Sequence, residues 1–125
     1  MNGSTPNTLP KRERLCGKKD IERLLATGKH GSVGAMRYIY ATGSGQAYNR
    51  LLVSVPKKLF KRAVKRNLLK RRIRESWRRL KHKLKNESGT DILVMYSTKE
   101  LLAYKDIHSC VENVINRVNH NLIER

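Results

Sequence analysis

The segment Lys57–Arg78, KKLFKRAVKRNLLKRRIRESWR, sets cations at spacings that suit a row of phosphates. Lys70, Arg74 and Arg78 recur every four residues, a rise of about 6 Å on a helix, close to the step between phosphates along one strand. Guanidinium forks make bidentate contacts to phosphate, and an ammonium acts as a point charge. Asn67 both donates and accepts, so it can bridge a phosphate or ribose hydroxyl to its neighbours. Its other reading is a local backbone cap near a helix start. Residues 57–85 hold 15 Lys and Arg against one acid, Glu75, and so supply +14 of the net +18. A merely solvated helix would interleave Glu with Lys at i,i+4. The shortage of acids points to a polyanionic partner, nucleic acid first and an anionic membrane second.

The remaining reactive side chains do not assemble into a protein active site. His30, His82, His108 and His120 have no Asp, Ser or Cys at a telling spacing, and Asp91, Asp106 and Glu112 do not form an evident pair for two-metal hydrolysis. No catalytic residue and no protein metal site are expected. Cys16 and Cys110 are far apart and fit no metal spacing, which reads as reduced thiols in a cytoplasmic protein. No apolar run approaches the ~20 residues that span a bilayer. The start, MNGSTPNTLP, lacks the hydrophobic segment of a signal peptide. Residues 1–10 are polar and read as a disordered tail, with a single domain over 11–125.

The elements that must hold the basic segment follow from periodicity. Residues 18–27 read as a short helix, with Ile21, Leu24 and Leu25 on one side and Gly28 as its stop. Strands are expected at about 29–34, at 35–42, where Met36, Tyr38 and Tyr40 alternate with Arg37 and Ile39, and at 50–55. Gly43-Ser44-Gly45 is a turn. The basic helix is expected over about 61–84, a buried strand over 90–96, a turn from Ser97 to Glu100, and a last helix over about 104–122. On the basic helix Leu69, Ile73, Trp77, Leu80 and Leu84 fall in one arc, which assigns Trp77 to the core. The neighbouring arc carries Asn67, Lys70, Arg71, Arg74, Arg78 and Lys81. The order predicts an α+β domain of two layers, a sheet with helices packed on it.

The order of residues around this helix resembles the protein component of bacterial ribonuclease P. The matching positions are Ser54, Lys57-Lys58, Ala63-Val64, Arg66-Asn67, Lys70-Arg71, Arg74-Glu75 and Trp77-Arg78. Arg14-Leu15, Lys19-Asp20 and Gly28-Lys29 resemble the family's N-terminal segment, and Asp91-Ile92-Leu93-Val94 its last strand. The resemblance implies helix, three strands, helix, strand, helix, with a four-stranded sheet and a left-handed βαβ crossover. It implies a protein subunit that binds the catalytic ribonuclease P RNA and the 5′ leader of precursor tRNA. The RNA and its Mg²⁺ ions then carry the hydrolysis. It assigns Lys57, Lys58, Lys61, Arg62, Lys65, Arg66, Asn67, Lys70, Arg71, Arg74 and Arg78 to the catalytic RNA.

A cleft between the first helix and the sheet is implied for the leader. The family's aromatic residues on that helix correspond to Ile21 and Leu25 here, which weakens base stacking. Tyr38 and Tyr40 are candidates to supply it; their other reading is sheet core. Ser54 and Leu52 share a strand face that lines the cleft. The family's Arg-Asn-Arg is Arg66-Asn67-Leu68 here, and Arg72, the nearest compensating cation, points elsewhere on the wheel. The protein itself is expected to be a monomer apart from RNA. A ribosomal or ribosome-assembly protein and a DNA-binding regulator are the alternatives. The spaced motif disfavours the first, and the lack of a dimer seam or a helix-turn-helix disfavours the second.

Overall fold

The computed structural model describes residues 10–85 and 89–123. Apart from Pro10, the segment 1–10 expected as a tail lies outside the described residues. The chain runs α1 (Lys18–Thr27), β1 (Lys29–Val33), β2 (Met36–Ala41), β3 (Arg50–Ser54), α2 (Ala63–Leu80), β4 (Asp91–Tyr96) and α3 (Tyr104–Ile123). The four strands form one sheet in the order β1-β2-β4-β3. β1 and β4 flank β2 antiparallel, and β3 runs parallel to β4, so α2 is the crossover between two neighbouring strands.

The alternation of each strand sorts its side chains between two unequal cores. Met36, Tyr38, Tyr40, Leu51, Val53, Ile92, Val94 and Tyr96 face α2 and α3. From α2 come Leu69, Ile73, Trp77 and Leu80, and from α3 Ile107, Val111, Val114, Ile115 and Val118. Trp77 is 1% exposed, as its place in the apolar arc predicts. The opposite face carries a smaller cluster of Leu15, Leu24, Ile39, Ala41 and Leu93 beneath α1.

Two glycines are dictated by geometry. Gly34, at φ +53°, opens the two-residue turn between β1 and β2, where left-handed backbone favours glycine. Gly28 has ordinary backbone angles, but a Cβ there would lie 2.4 Å from Ile39 Cγ2 and 2.5 Å from the Leu24 carbonyl oxygen. The end of α1 thus sits too close to β2 for any side chain.

The basic helix is shorter than the expected 61–84. Arg62 is extended, and beyond Leu80 a 3₁₀ turn over Lys81–Lys83 keeps Leu84 in the core. Asn119 secures that turn to α3: its Oδ1 accepts from the Lys85 N–H at 2.7 Å and its Nδ2 donates to the Lys83 carbonyl at 2.8 Å. The turn expected after β4 is built on Thr98, whose hydroxyl accepts from the Glu100 N–H, and on the Tyr96 hydroxyl, which donates to the Glu100 carbonyl and accepts from the Leu102 N–H. Before α1 the chain adds a bridge that periodicity does not reveal. Arg14 pairs parallel with Leu51, and the Leu15 N–H donates to the Leu51 carbonyl at 2.9 Å, covering the outer edge of β3.

Candidate nucleic-acid interface

The basic surface has two parts, a loop and a helix face. Phe60, buried against Tyr96 with ring centroids 5.9 Å apart, anchors the loop between β3 and α2. Around that anchor Lys57, Lys58, Lys61 and Arg62 are exposed. Arg66 reaches back from the first turn of α2, and its Nη1 donates to the Phe60 and Lys61 carbonyls, each at 2.8 Å. One guanidinium edge therefore holds the loop in place, which makes Arg66 a clasp as well as a cation.

Along α2, Lys65, Asn67 and Arg71 are exposed and Lys70 and Arg74 are half-buried. The Arg74 guanidinium titrates below its ordinary value, first because burial disfavours its charge and second because Arg14 lies near. The edge segment thus sets a second positive charge near Arg74. No local pattern ties residue 14 to residue 74, so sequence reasoning misses this neighbour; only the Arg14–Leu51 bridge brings the two together.

Two expected members of the row, Arg78 and Lys81, are ion-paired within the protein. Arg78 makes a fork to Glu75, Nε to Oε1 at 2.9 Å and Nη2 to Oε2 at 2.8 Å, and Arg79 Nε donates to the same carboxylate at 2.7 Å. Arg78 is thus an ion-paired cation, not a free one: the one acid of the basic stretch, itself buried, engages it. Arg72 Nη1 donates to the Leu102 carbonyl at 2.5 Å and does not replace the cation absent at Leu68. Lys81 pairs with Glu13 at 2.5 Å.

Glu75 offers a check. Its carboxyl is held below the usual range, first by the Arg78 hydrogen bonds, against burial, and then by Arg79. A lowered folded value stabilises the fold above the unfolded Glu pKa of about 4.3 and loses that contribution as pH falls through the folded value. Arg78→Ala is expected to move the acid-unfolding midpoint to higher pH while leaving the salt slope of RNA binding unchanged. A reduced salt slope in this variant would return Arg78 to the phosphate row.

The second surface is a trough on the α1 side of the sheet. Cross-strand registers set His30, Ile39, Leu93 and Leu52 in one row and Ser32, Arg37, Met95 and Ser54 in the next. α1 covers only part of these rows. Ile21 is half-buried against the smaller core, and Leu25 is 50% exposed at the helix margin. Beyond α1 an open hollow of about 500 Å³ continues over His30, Arg37, Ile39, Leu93 and Met95.

Leu52 and Ser54 share this face, as their alternation requires. Tyr38 and Tyr40 point to the other face, although Tyr38 borders the hollow beside Gly31. They are 4% and 3% exposed and belong to the main core beneath α2 and α3. The Tyr38 ring crosses β1 at Gly31, where a Cβ would lie 2.4 Å from it, and burial raises its phenol pKa. The side on which their rings lie is a matter of parity: residues 36, 38 and 40 face one way and 37, 39 and 41 the other. Arg37, His30 and Met95, which do line the trough, were legible only once the paired strands were known.

Among the described residues no group of three or more His, Cys, Asp and Glu side chains is placed to hold a metal ion. Glu13, Asp20, Glu75, Asp91 and Glu112 are each in a salt bridge with Lys or Arg. Mg²⁺ needs oxygen ligands that are free to converge, and these carboxylates do not fit such a site. No helix among the described residues is long and apolar enough to cross a membrane.

The Ribonuclease P family model matches residues 9–119. The chain belongs to the ribonuclease P protein family. A ribonuclease P protein component from Porphyromonas gingivalis is 35% identical over 121 residues, covering 91% of this chain and 88% of that one. One from Dictyoglomus turgidum is 36% identical over 106 residues, covering 85% and 86%. Among solved structures, the RNase P protein from Thermotoga maritima superposes with a TM-score of 0.73 at 28% identity, over 85% of this chain and 97% of that one. The Staphylococcus aureus RNase P protein gives 0.72 at 26%, over 84% and 94%. The family match spans both surfaces, from the edge segment to α3.

Proposed function

We propose that this chain is the protein subunit of a ribonuclease P, working with the ribonuclease P RNA in 5′ maturation of tRNA. The loop after β3 and the outer face of α2 grip the catalytic RNA through Lys57, Lys58, Lys61, Arg62, Lys65, Asn67, Lys70, Arg71 and Arg74, with Arg66 both clasp and contact. The trough beside α1 takes the single-stranded leader of precursor tRNA, against Ile21, Leu25, Leu52 and Ser54. Hydrolysis and the Mg²⁺ ions that serve it belong to the RNA. The subunit acts in the cytoplasm as a monomer apart from RNA.

The observation that carries this reading is the pairing of two unlike surfaces on one rigid sheet. The first is strongly cationic and suits a folded RNA backbone. The second is an apolar trough with polar margins, suited to unstacked bases. Leu52, Leu93 and Met95 offer apolar contact in place of aromatic stacking. The test is reconstitution with the cognate RNA and a 5′-extended precursor tRNA at low Mg²⁺. The expected result is faster release of the intact leader than with RNA alone. Binding to ribosomal RNA with no effect on cleavage would instead favour a ribosomal role.

A further inference from the structure

We infer that a four-membered ionic lock, Asp20–Arg50–Asp91–Arg23, sets the rotation of α1 and thereby the apolar wall of the leader trough. The inference rests on the assignment of that trough to the leader. α1 has ten residues and one wholly buried side chain, Leu24. An isolated helix of that length is marginal in water, and Leu24 with the half-buried Ile21 and the close approach at Gly28 is a narrow anchor for its turn about its axis. Charged contacts supply what packing leaves open.

At the centre is Asp91, at the start of β4, whose side chain has no exposed surface. Its two oxygens accept from Arg50 Nε at 2.8 Å and Arg50 Nη2 at 2.9 Å. The third nitrogen of the Arg50 fork, Nη1, reaches Asp20 Oδ2 on α1 at 3.1 Å. From the next turn of α1, Arg23 Nη1 lies 3.9 Å from Asp91 Oδ2, while its Nη2 donates to the Thr42 and Gly43 carbonyls at 3.1 and 2.9 Å. Two carboxylates and two guanidiniums alternate with no net charge. Asp20 and Arg23, at i,i+3, are neighbours on one helix face, so α1 is held at two points along its length.

That attachment decides what the rest of the helix presents. Advancing about 100° per residue, Leu24 follows Asp20 by about 40°, Ile21 by about 100° and Leu25 by about 140°. With the charged edge fixed, Leu24 must point into the small core. Ile21 then comes to its margin and Leu25 to the trough. The central Arg50–Asp91 pair is buried, and buried ion pairs are poor sources of net stability and better at selecting one geometry. Asp20 and Arg23, 45% and 38% exposed, make partly solvated pairs that add little stability, and we assign them as positioning residues.

The test uses the reconstituted holoenzyme under non-cleaving conditions. Affinity is measured for a precursor tRNA with its 5′ leader and for the same tRNA without it. Asp20→Asn is expected to reduce the leader-dependent gain in affinity about three- to tenfold. The trimmed tRNA should bind as before and the melting temperature should hardly move. Asp20→Glu, which keeps the charge, should recover most of the gain. Arg23→Lys, which keeps its charge but loses the fork to the two carbonyls, should repeat the defect if Asp20→Asn folds poorly. An unchanged gain in a folded Asp20→Asn holoenzyme overturns the lock, as does an equal loss on both tRNAs. A wild-type holoenzyme with no leader-dependent gain overturns the trough assignment itself, and the lock's functional role with it.

Discussion

Replacing Lys70, Arg71 and Arg74 together by alanine is expected to weaken binding to the ribonuclease P RNA and to flatten its salt dependence. For every phosphate that the variant no longer neutralises, the log–log slope should shrink by about 0.7–0.9, so the triple variant should fall by about two units or more. None of the three is in a salt bridge with an acid among the described residues; Arg71 is exposed and Lys70 and Arg74 are half-buried. Titration across a range of salt checks this directly. A slope that stays put in the triple variant would remove the α2 face from the phosphate-binding surface.

Trp77→Ala should act on the fold. The ring is 1% exposed among Leu69, Ile73, Leu80 and the strands of the main core. Truncating a buried aromatic costs about 3–5 kcal/mol, against a total stability of about 5–15 kcal/mol for domains of this kind. The midpoint of chemical denaturation should fall accordingly, and the folded fraction should keep its RNA affinity and salt slope. A folded Trp77→Ala protein that loses RNA binding would show that the indole, or the face it supports, serves the partner directly.

The elements were legible because their signals are local. Leu69, Ile73, Trp77 and Leu80 repeat at helical spacing, and Leu51, Val53 and Val55 alternate, so both patterns expose their buried side without reference to the rest of the chain. The position of α1 was legible to the residue, from Ile21, Leu24 and Leu25 on one side and Gly28 as its stop. β2 resisted this kind of reading. Both its faces are covered, one by the main core and one by α1, so Tyr38 and Tyr40 looked no more buried than Ile39. Only pairing with β4 shows which set meets α1. Charge was similarly ambiguous. Arg66, Arg72 and Arg78 are chemically identical to Arg71 in the sequence, yet their partners are loop carbonyls, a carbonyl before α3 and a buried glutamate. Those partners are set by tertiary packing, which helical spacing cannot reveal. The same holds for Arg50 and Asp91, 41 residues apart and joined by two hydrogen bonds.

The crossover between β3 and β4 gives the cationic surface a mechanical character. Because α2 buries Leu69, Ile73, Trp77 and Leu80 against the sheet and α3, it cannot swing outward like an arm on a flexible joint. Any pull on its outer face is taken up by that packing, and Arg66 and Asn119 tie down the loop before the helix and the 3₁₀ turn after it. What the protein holds out is a ruler with fixed graduations. An RNA whose backbone does not match them must itself bend to fit, or be turned away.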